Sequence, residues 1–212
     1  MTLFRRPVAI FAIVLGAALP GVARAQRSDS YTWKLGFEAG GMAFQTNSQD
    51  TKVVPAAGAH ILIMAHRGGL LFGVDEGIGS NEQANGGLVL FNDVRRYQGV
   101  LMAFPIAGPI EPYFGLGGGI MQVVGPRINA FITDPTDRQT DLAAAQDASS
   151  SGFFTGLAGV QWRMGRLNVF VQYQASTSPS SDKLLHGAAQ TLMGGIRIGL
   201  GAAQEGVTAG GY

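Results

Sequence analysis

The sequence predicts an all-β protein, an eight-stranded antiparallel up-and-down transmembrane β-barrel, on three observations. The composition is rich in Gly and poor in charge. The apolar residues alternate with period two, and the candidate strands are long, with short and long gaps between them in turn. Gly accounts for 32 of the 212 residues, and only 14% of residues are charged. Gly is a poor helix former, whereas Gly with abundant Phe, Val, Ile and Tyr suits strands that pack closely and curve. The formal net charge of +1, with Lys and Arg scattered, gives no electrostatic case for nucleic acid. Cys is absent, which excludes a thiol nucleophile, a disulfide framework and a Cys-ligated metal.

The first residues read as an address. Arg5 and Arg6 form a basic start, Val8 to Leu19 is apolar and uncharged, Pro20 and Gly21 break it, and Ala23-Arg24-Ala25 offers small residues to a signal peptidase. This pattern predicts Sec-type export with cleavage after Ala25. The apolar run is too short to span about 30 Å of hydrocarbon as a helix. The expected organisation is a signal peptide over 1–25, a barrel over 26–200 and a tail over 201–212.

Alternation then places the strands near 32–45, 53–66, 69–79, 88–104, 111–123, 152–164, 167–177 and 187–200. In the first, Trp33, Leu35, Phe37 and Ala39 oppose Lys34, Gly36, Glu38 and Gly40. In the seventh, Leu167, Val169, Val171 and Tyr173 oppose Asn168, Phe170, Gln172 and Gln174, and in the last Ile196, Ile198 and Leu200 oppose Gly195, Arg197 and Gly199. Several strands reach the nine to eleven residues that a tilted membrane-crossing strand needs. Short gaps at 67–68, 108–109 and 165–166 alternate with longer ones at 46–52, 80–87, 124–151 and 178–186, the layout of a barrel with short turns on one side and loops on the other.

The segments Leu35-Gly36-Phe37-Glu38-Ala39-Gly40-Gly41, Pro112-Tyr113-Phe114-Gly115-Leu116-Gly117-Gly118-Gly119 and Gly194-Gly195-Ile196-Arg197-Ile198-Gly199-Leu200 resemble the OmpA/OmpX-type small outer-membrane β-barrel family. The resemblance covers residues 30–200. It implies the cell outer membrane as location, with its lipids and the barrel assembly machinery as partners; the residues themselves show no cofactor motif, and no cofactor is expected. Gly195-x-x-Ile198-x-Leu200 is similar to that family's assembly signal, followed here by the tail that ends on Tyr212.

An eight-stranded barrel has room inside for little but side chains. Lys34, Glu38, Asp75, Gln172, Gln174 and Arg197 fall on the lumen parity, with Arg95 a further candidate. Charges taken out of water must be paired, so a network linking Glu38 and Asp75 to Lys34 and Arg197 is expected, either as a structural plug or as an ion gate. His60 and His66 have no carboxylate beside them in sequence, and no metal site is predicted. His66 is expected at the periplasmic boundary, and His60 at the lumen or the bilayer rim. His186 lies near Ser180 and Ser181 without a hydrolase motif, and Gly115-x-Gly117-x-x-Ile120 is followed by no crossover helix, so no catalytic residue is assigned.

The connection 124–151 carries Asp134, Asp137, Arg138 and Asp141, the candidates for recognition outside the cell. Asp134-Pro135-Thr136-Asp137 reads as a turn, and 141–148 as a short helix. The resulting expectation is a monomeric, non-enzymatic outer-membrane barrel with a structural, envelope-integrity or surface-interaction role. Two rivals are a narrow pore for ions or small solutes and a secreted lipocalin-like binder of a small apolar ligand. The last would bury Leu167, Val169, Val171 and Tyr173 and expose Gln172 and Gln174.

Overall fold

In a computed structural model, which describes residues 30–177 and 182–204, the alternating segments form one closed ring. The strands are β1 (Ser30–Thr46), β2 (Gln49–Ala65), β3 (Gly68–Ala84), β4 (Val89–Ala103), β5 (Ile110–Val124), the two-residue β6 (Arg127–Ile128), β7 (Ser150–Met164), β8 (Leu167–Ser176) and β9 (Leu185–Gln204). A helix, α1 (Pro135–Asp147), lies between β6 and β7. The eight long strands pair antiparallel with their neighbours in the ring, β5 with β7, and β1 closes on β9 through Leu35↔Ile198 and Phe37↔Ile196. Closure gives every long strand a hydrogen-bonded neighbour on both sides along the middle of the ring, as a sheet in hydrocarbon requires, while the α1-side ends of β2 (49–55) and β9 (185–189) extend past one of their partners. The expected signal peptide lies outside the described residues. β9 runs to Gln204, so the barrel extends four residues into what was expected as tail.

The strict alternation of connection lengths does not hold. β1 and β2 are joined by only Asn47 and Ser48, and β3 and β4 by Asn85 to Leu88, whereas β4 and β5, on the opposite side, are separated by Phe104 to Pro109. The polar stretches 49–52 and 80–84 are strand, not loop. Beyond the apolar part of the ring a polar side chain costs a strand little, and Lys52 reaches across to Glu82 at 2.8 Å. The turns themselves are tight. Thr46 Oγ1 accepts from Ser48 N and Gln49 N, and Asn85, Gly86 and Gly87 all take positive φ (51°, 67° and 84°), the conformation that Asn-Gly sequences favour.

Outward-facing residues form an apolar belt. Along β8, Val169, Val171 and Tyr173 are exposed while Asn168, Phe170, Gln172 and Gln174 are buried. Leu167 to Tyr173 rises about 20 Å along the strand, at roughly 3.3 Å per residue. Tyr31, Trp33 and Trp162 rim the belt near the β7–β8 turn, and Tyr97, Phe154 and Tyr173 lie toward the other rim. Beyond them stand Gln45, Gln122 and Gln190 and the Glu76–Arg95 ion pair at 2.8 Å. Hence the strands project past the belt on the α1 side.

The curvature of so small a ring brings strands close at particular points. A Cβ on Gly119 of β5 would collide with the carbonyl oxygen of Tyr97 and lie 2.9 Å from the Cα of Gln98 in β4. Only Gly fits there.

Candidate functional site: the filled lumen

Side chains fill the barrel in layers. On the α1 side an apolar cluster includes Met42, Phe44, Phe91, Met121 and Met193, and toward the other end a second one includes Leu62, Leu71, Val100, Met102 and Phe104. Polar groups occupy the space between and below them.

At the centre, β1 supplies Glu38, β2 His60 and β9 Arg197, all buried. Glu38 Oε1 lies 3.0 Å from His60 Nδ1, and Arg197 Nε donates to His60 Nε2 at 2.9 Å. Accepting from Arg197 at Nε2 leaves the ring hydrogen on Nδ1, aimed at the carboxylate, so the neutral tautomer is fixed by its two neighbours. Gly36 makes room for the ring, since a Cβ there would fall inside it. Gln172 Nε2 donates to Glu38 Oε2 at 2.7 Å, and the guanidinium donates to Gln161 Oε1 at 3.0 Å and Gln172 Oε1 at 3.2 Å. It stacks 3.9 Å from the centre of the Phe170 ring. A buried guanidinium is tolerated only with its fork occupied and an opposing charge close by, and this one has both.

A second buried pair joins β3 to β4. Arg96 donates through Nε and an Nη to Asp75 Oδ2 at 3.1 and 2.7 Å, and also to Thr191 Oγ1 and Gln174 Oε1. Gln98 donates to the same carboxylate oxygen at 2.9 Å. Asp75 Oδ1 is buried without a partner, over Gly58. A third group lies near the β7–β8 turn. There Glu111 accepts from Gln161 at 2.7 Å and Arg163 at 2.9 Å, and Asn168, its amide oxygen turned toward Lys34, accepts from Nζ at 2.7 Å.

The four charges named from sequence are therefore distributed over three clusters. Glu38 and Arg197 share one and are bridged by His60 and Gln172, with no direct ion pair between them. The partner of Asp75 is Arg96, and Lys34 sits apart, beside Asn168. Arg95 faces outward and pairs with Glu76, a correction with a clear cause. Phe91 and Val94 both face the lumen, so β4 slips parity between them, and the β3–β4 ladder shifts register between Ile78 and Glu82. Alternation counted through that irregularity selects the wrong one of two adjacent arginines. His60 had no sequence signal beyond its parity. His66 occupies the β2–β3 turn at φ 57°. His186 Nε2 is buried with no partner among the described residues, and Ser180 and Ser181 lie outside them.

The outside candidates fall on a lid. Asp134-Pro135 is a helix start, not a turn: Asp134 caps α1, accepting from Thr136 N at 2.7 Å, and Pro135 occupies the first turn where no N–H is missed. The helix runs over Pro135–Asp147, longer than the expected 141–148. Ala145 is buried, and Ile132, Leu142 and Ala148 pack on the outer apolar cluster. Asp137 and Arg138 are exposed and Asp141 half-buried, whereas the Asp134 carboxylate is engaged by the cap. Lys183 donates to Asp147 O at 3.1 Å and Leu184 N to Ala148 O at 3.2 Å, tying the lid to the β8–β9 connection.

A closed antiparallel ring of eight long strands, apolar outside and packed inside, is the fold of the small outer-membrane β-barrels of the OmpA/OmpX type. Among solved structures the chain is similar to Neisserial surface protein A, NspA, with a TM-score of 0.57 at 10% identity over 78% of this chain and 96% of that one. It also matches Ail of Yersinia pestis (TM-score 0.47, 11% identity, 80% of this chain and 98% of that one). A further match is the N-terminal barrel domain of Pseudomonas aeruginosa OprF (TM-score 0.47, 8% identity, 79% and 97%). No protein-family description and no curated relative matches the sequence.

Proposed function

We propose that the chain is a non-enzymatic outer-membrane barrel with a closed lumen, serving envelope integrity or surface contact through the lid built on α1. The observation that carries this reading is the filled interior: Arg96 and Arg197 are 1% and 0% exposed, and an apolar cluster under α1 lies between them and the outside. A barrel this narrow conducts only if such a plug moves. The Glu38–His60 pair also supports a structural role, because the ring nitrogen that a hydrolase turns toward its nucleophile accepts here from Arg197.

In planar bilayers the purified protein is expected to give no sustained conductance steps. A stable open level in most insertions would overturn the closed lumen.

The belt supports the membrane. A soluble binder of lipocalin type needs the reverse parity, with Val169, Val171 and Tyr173 inside. Val171→Arg, in the middle of the belt on β8, is expected to cost roughly 2–4 kcal/mol of stability in lipid vesicles, as lipid-facing Arg does at the midplane. Urea unfolding measures it, and an effect within about 0.5 kcal/mol, as for an ordinary surface substitution, would remove the lipid contact.

A further inference from the structure

At the end of the barrel opposite α1, the lumen opens into a cavity of about 280 Å³, lined from β1, β2, β5 and β7 and from the β2–β3 and β4–β5 turns. Its chemistry is unbalanced. Three cationic side chains line it: Lys34 from β1, Arg67 from the β2–β3 turn and Arg163 from β7. One carboxylate, Glu111, faces them, and it is already occupied by Gln161 and Arg163. Arg67 spends a donor on Pro105 O at 2.9 Å. Lys34 is half-buried, and among the described residues no carboxylate lies within ion-pair distance of it; its partner is the neutral Asn168. The lining also has an apolar part, which includes Met64 on β2, paired with Thr32, and Phe104 at the start of the β4–β5 connection.

A half-buried ammonium hydrogen-bonded to an amide, with the nearest facing carboxylate already engaged by Gln161 and Arg163, is poorly compensated, and a cavity that joins surplus positive charge to apolar lining matches a particular kind of guest. We propose that this vestibule binds a small organic anion, a carboxylate or phosphate ester with an apolar flank, with Lys34 and Arg163 on the anionic group and Met64 and Phe104 against the flank. The volume lies just below the range of pockets that hold drug-sized ligands, so the guest is small or only the end of a larger molecule. Facing the periplasm, a location that rests on the outer-membrane reading above, the site meets two sources of this chemistry: soluble metabolites and the headgroups of inner-leaflet phospholipids.

Methyl-labelled methionine places a probe on the wall itself. Protein carrying ¹³C-methyl Met in phosphatidylcholine nanodiscs is titrated with hexanoate, hexyl phosphate and, as the uncharged control, hexanol. The Met64 resonance is expected to shift with the two anions at a Kd of about 1 mM or tighter, and not with hexanol. Met121, in the outer apolar cluster, stays in place. Lys34→Gln weakens the anion response by about tenfold or more, and Arg163→Gln, at a half-exposed position, serves the same purpose if the first variant does not fold.

Discs containing phosphatidylglycerol separate the sources. A Met64 resonance already displaced there, with hexanoate then competing, assigns a lipid headgroup; an unchanged one with the soluble anions still binding assigns a free anion. No shift up to about 10 mM, an equal shift with hexanol, or an unchanged response in the variants overturns the site. Failure of the chain to enter nanodiscs at all would count against the membrane reading instead, so the two outcomes are told apart.

Discussion

Replacing Arg197 by Ala is expected to lower the unfolding free energy of the barrel by about 3–5 kcal/mol, the scale of leaving a buried carboxylate, here Glu38, without the cation that compensates it through His60 and Gln172. The guanidinium is fully buried and donates to His60, Gln161 and Gln172; its removal orphans His60 Nε2 and Gln161 Oε1, while Gln172 Oε1 keeps the Tyr113 hydroxyl, and it leaves Glu38 without a cation nearby. Equilibrium urea unfolding in vesicles, followed by Trp33 and Trp162 fluorescence, reads the change. Arg197→Lys should restore only a part, because an ammonium neither forks between Gln161 and Gln172 nor stacks on Phe170. In a double-mutant cycle, Glu38→Gln should reduce the cost of Arg197→Ala, since the stranded charge is then gone. A loss below about 1 kcal/mol for Arg197→Ala would mean that water replaces the side chain at little cost, and the interior would have to be reclassified as wet.

Gly119→Ala is the second substitution with a large expected effect. The added methyl meets the Tyr97 carbonyl oxygen and the Gln98 Cα, neither of which can rotate aside as a side-chain tip does. The β4–β5 ladder must open or the ring must widen. Overpacking of this kind usually costs about 1–3 kcal/mol, and more where the backbone itself blocks relief. The folded, faster-migrating band of unboiled protein should fall sharply, with a cost of about 3 kcal/mol or more in unfolding. Gly156→Ala on β7 is the control, because its Cβ would meet only Leu116 Cδ2 at an ordinary 3.7 Å. Equal behaviour of the two variants would show that glycine frequency, not close approach, explains these positions.

Much of the architecture was legible in the residues. Period-two alternation located all eight long strands, because a barrel in lipid makes one parity apolar along nearly the whole strand and the other parity polar or small. What it could not set was where a strand stops once it passes the apolar belt. Gln49 to Lys52 and Ser80 to Ala84 read as loop by polarity, although Asn85-Gly86-Gly87 announced a tight turn farther along. The lumen was legible in kind and only partly in detail. Glu38 and Arg197 were found by parity, whereas Arg96 was hidden by the slip between Phe91 and Val94. Pairing across the barrel, such as His60 to Arg197, depends on shear and strand tilt, which no single strand encodes. Asp134-Pro135 carried a helix-start signal that the turn reading overlooked.

The two tight outer turns have a consequence for how this surface can diversify. Asn85 N donates to Asn47 Oδ1 at 2.6 Å, Asn47 Nδ2 to Asn85 Oδ1 at 2.7 Å, and Gly86 N to Ser48 Oγ at 2.6 Å, so the tips of the β1–β2 and β3–β4 hairpins are laced to each other. An inserted residue there would have to break that lacing and displace a strand register below it. A change of length is absorbed more readily between β5 and β7, where the chain has already left the ring to build α1. Under pressure to alter its exterior, the protein can therefore exchange single side chains around one half of its rim, while loop growth, epitope grafts and fusions belong on the other.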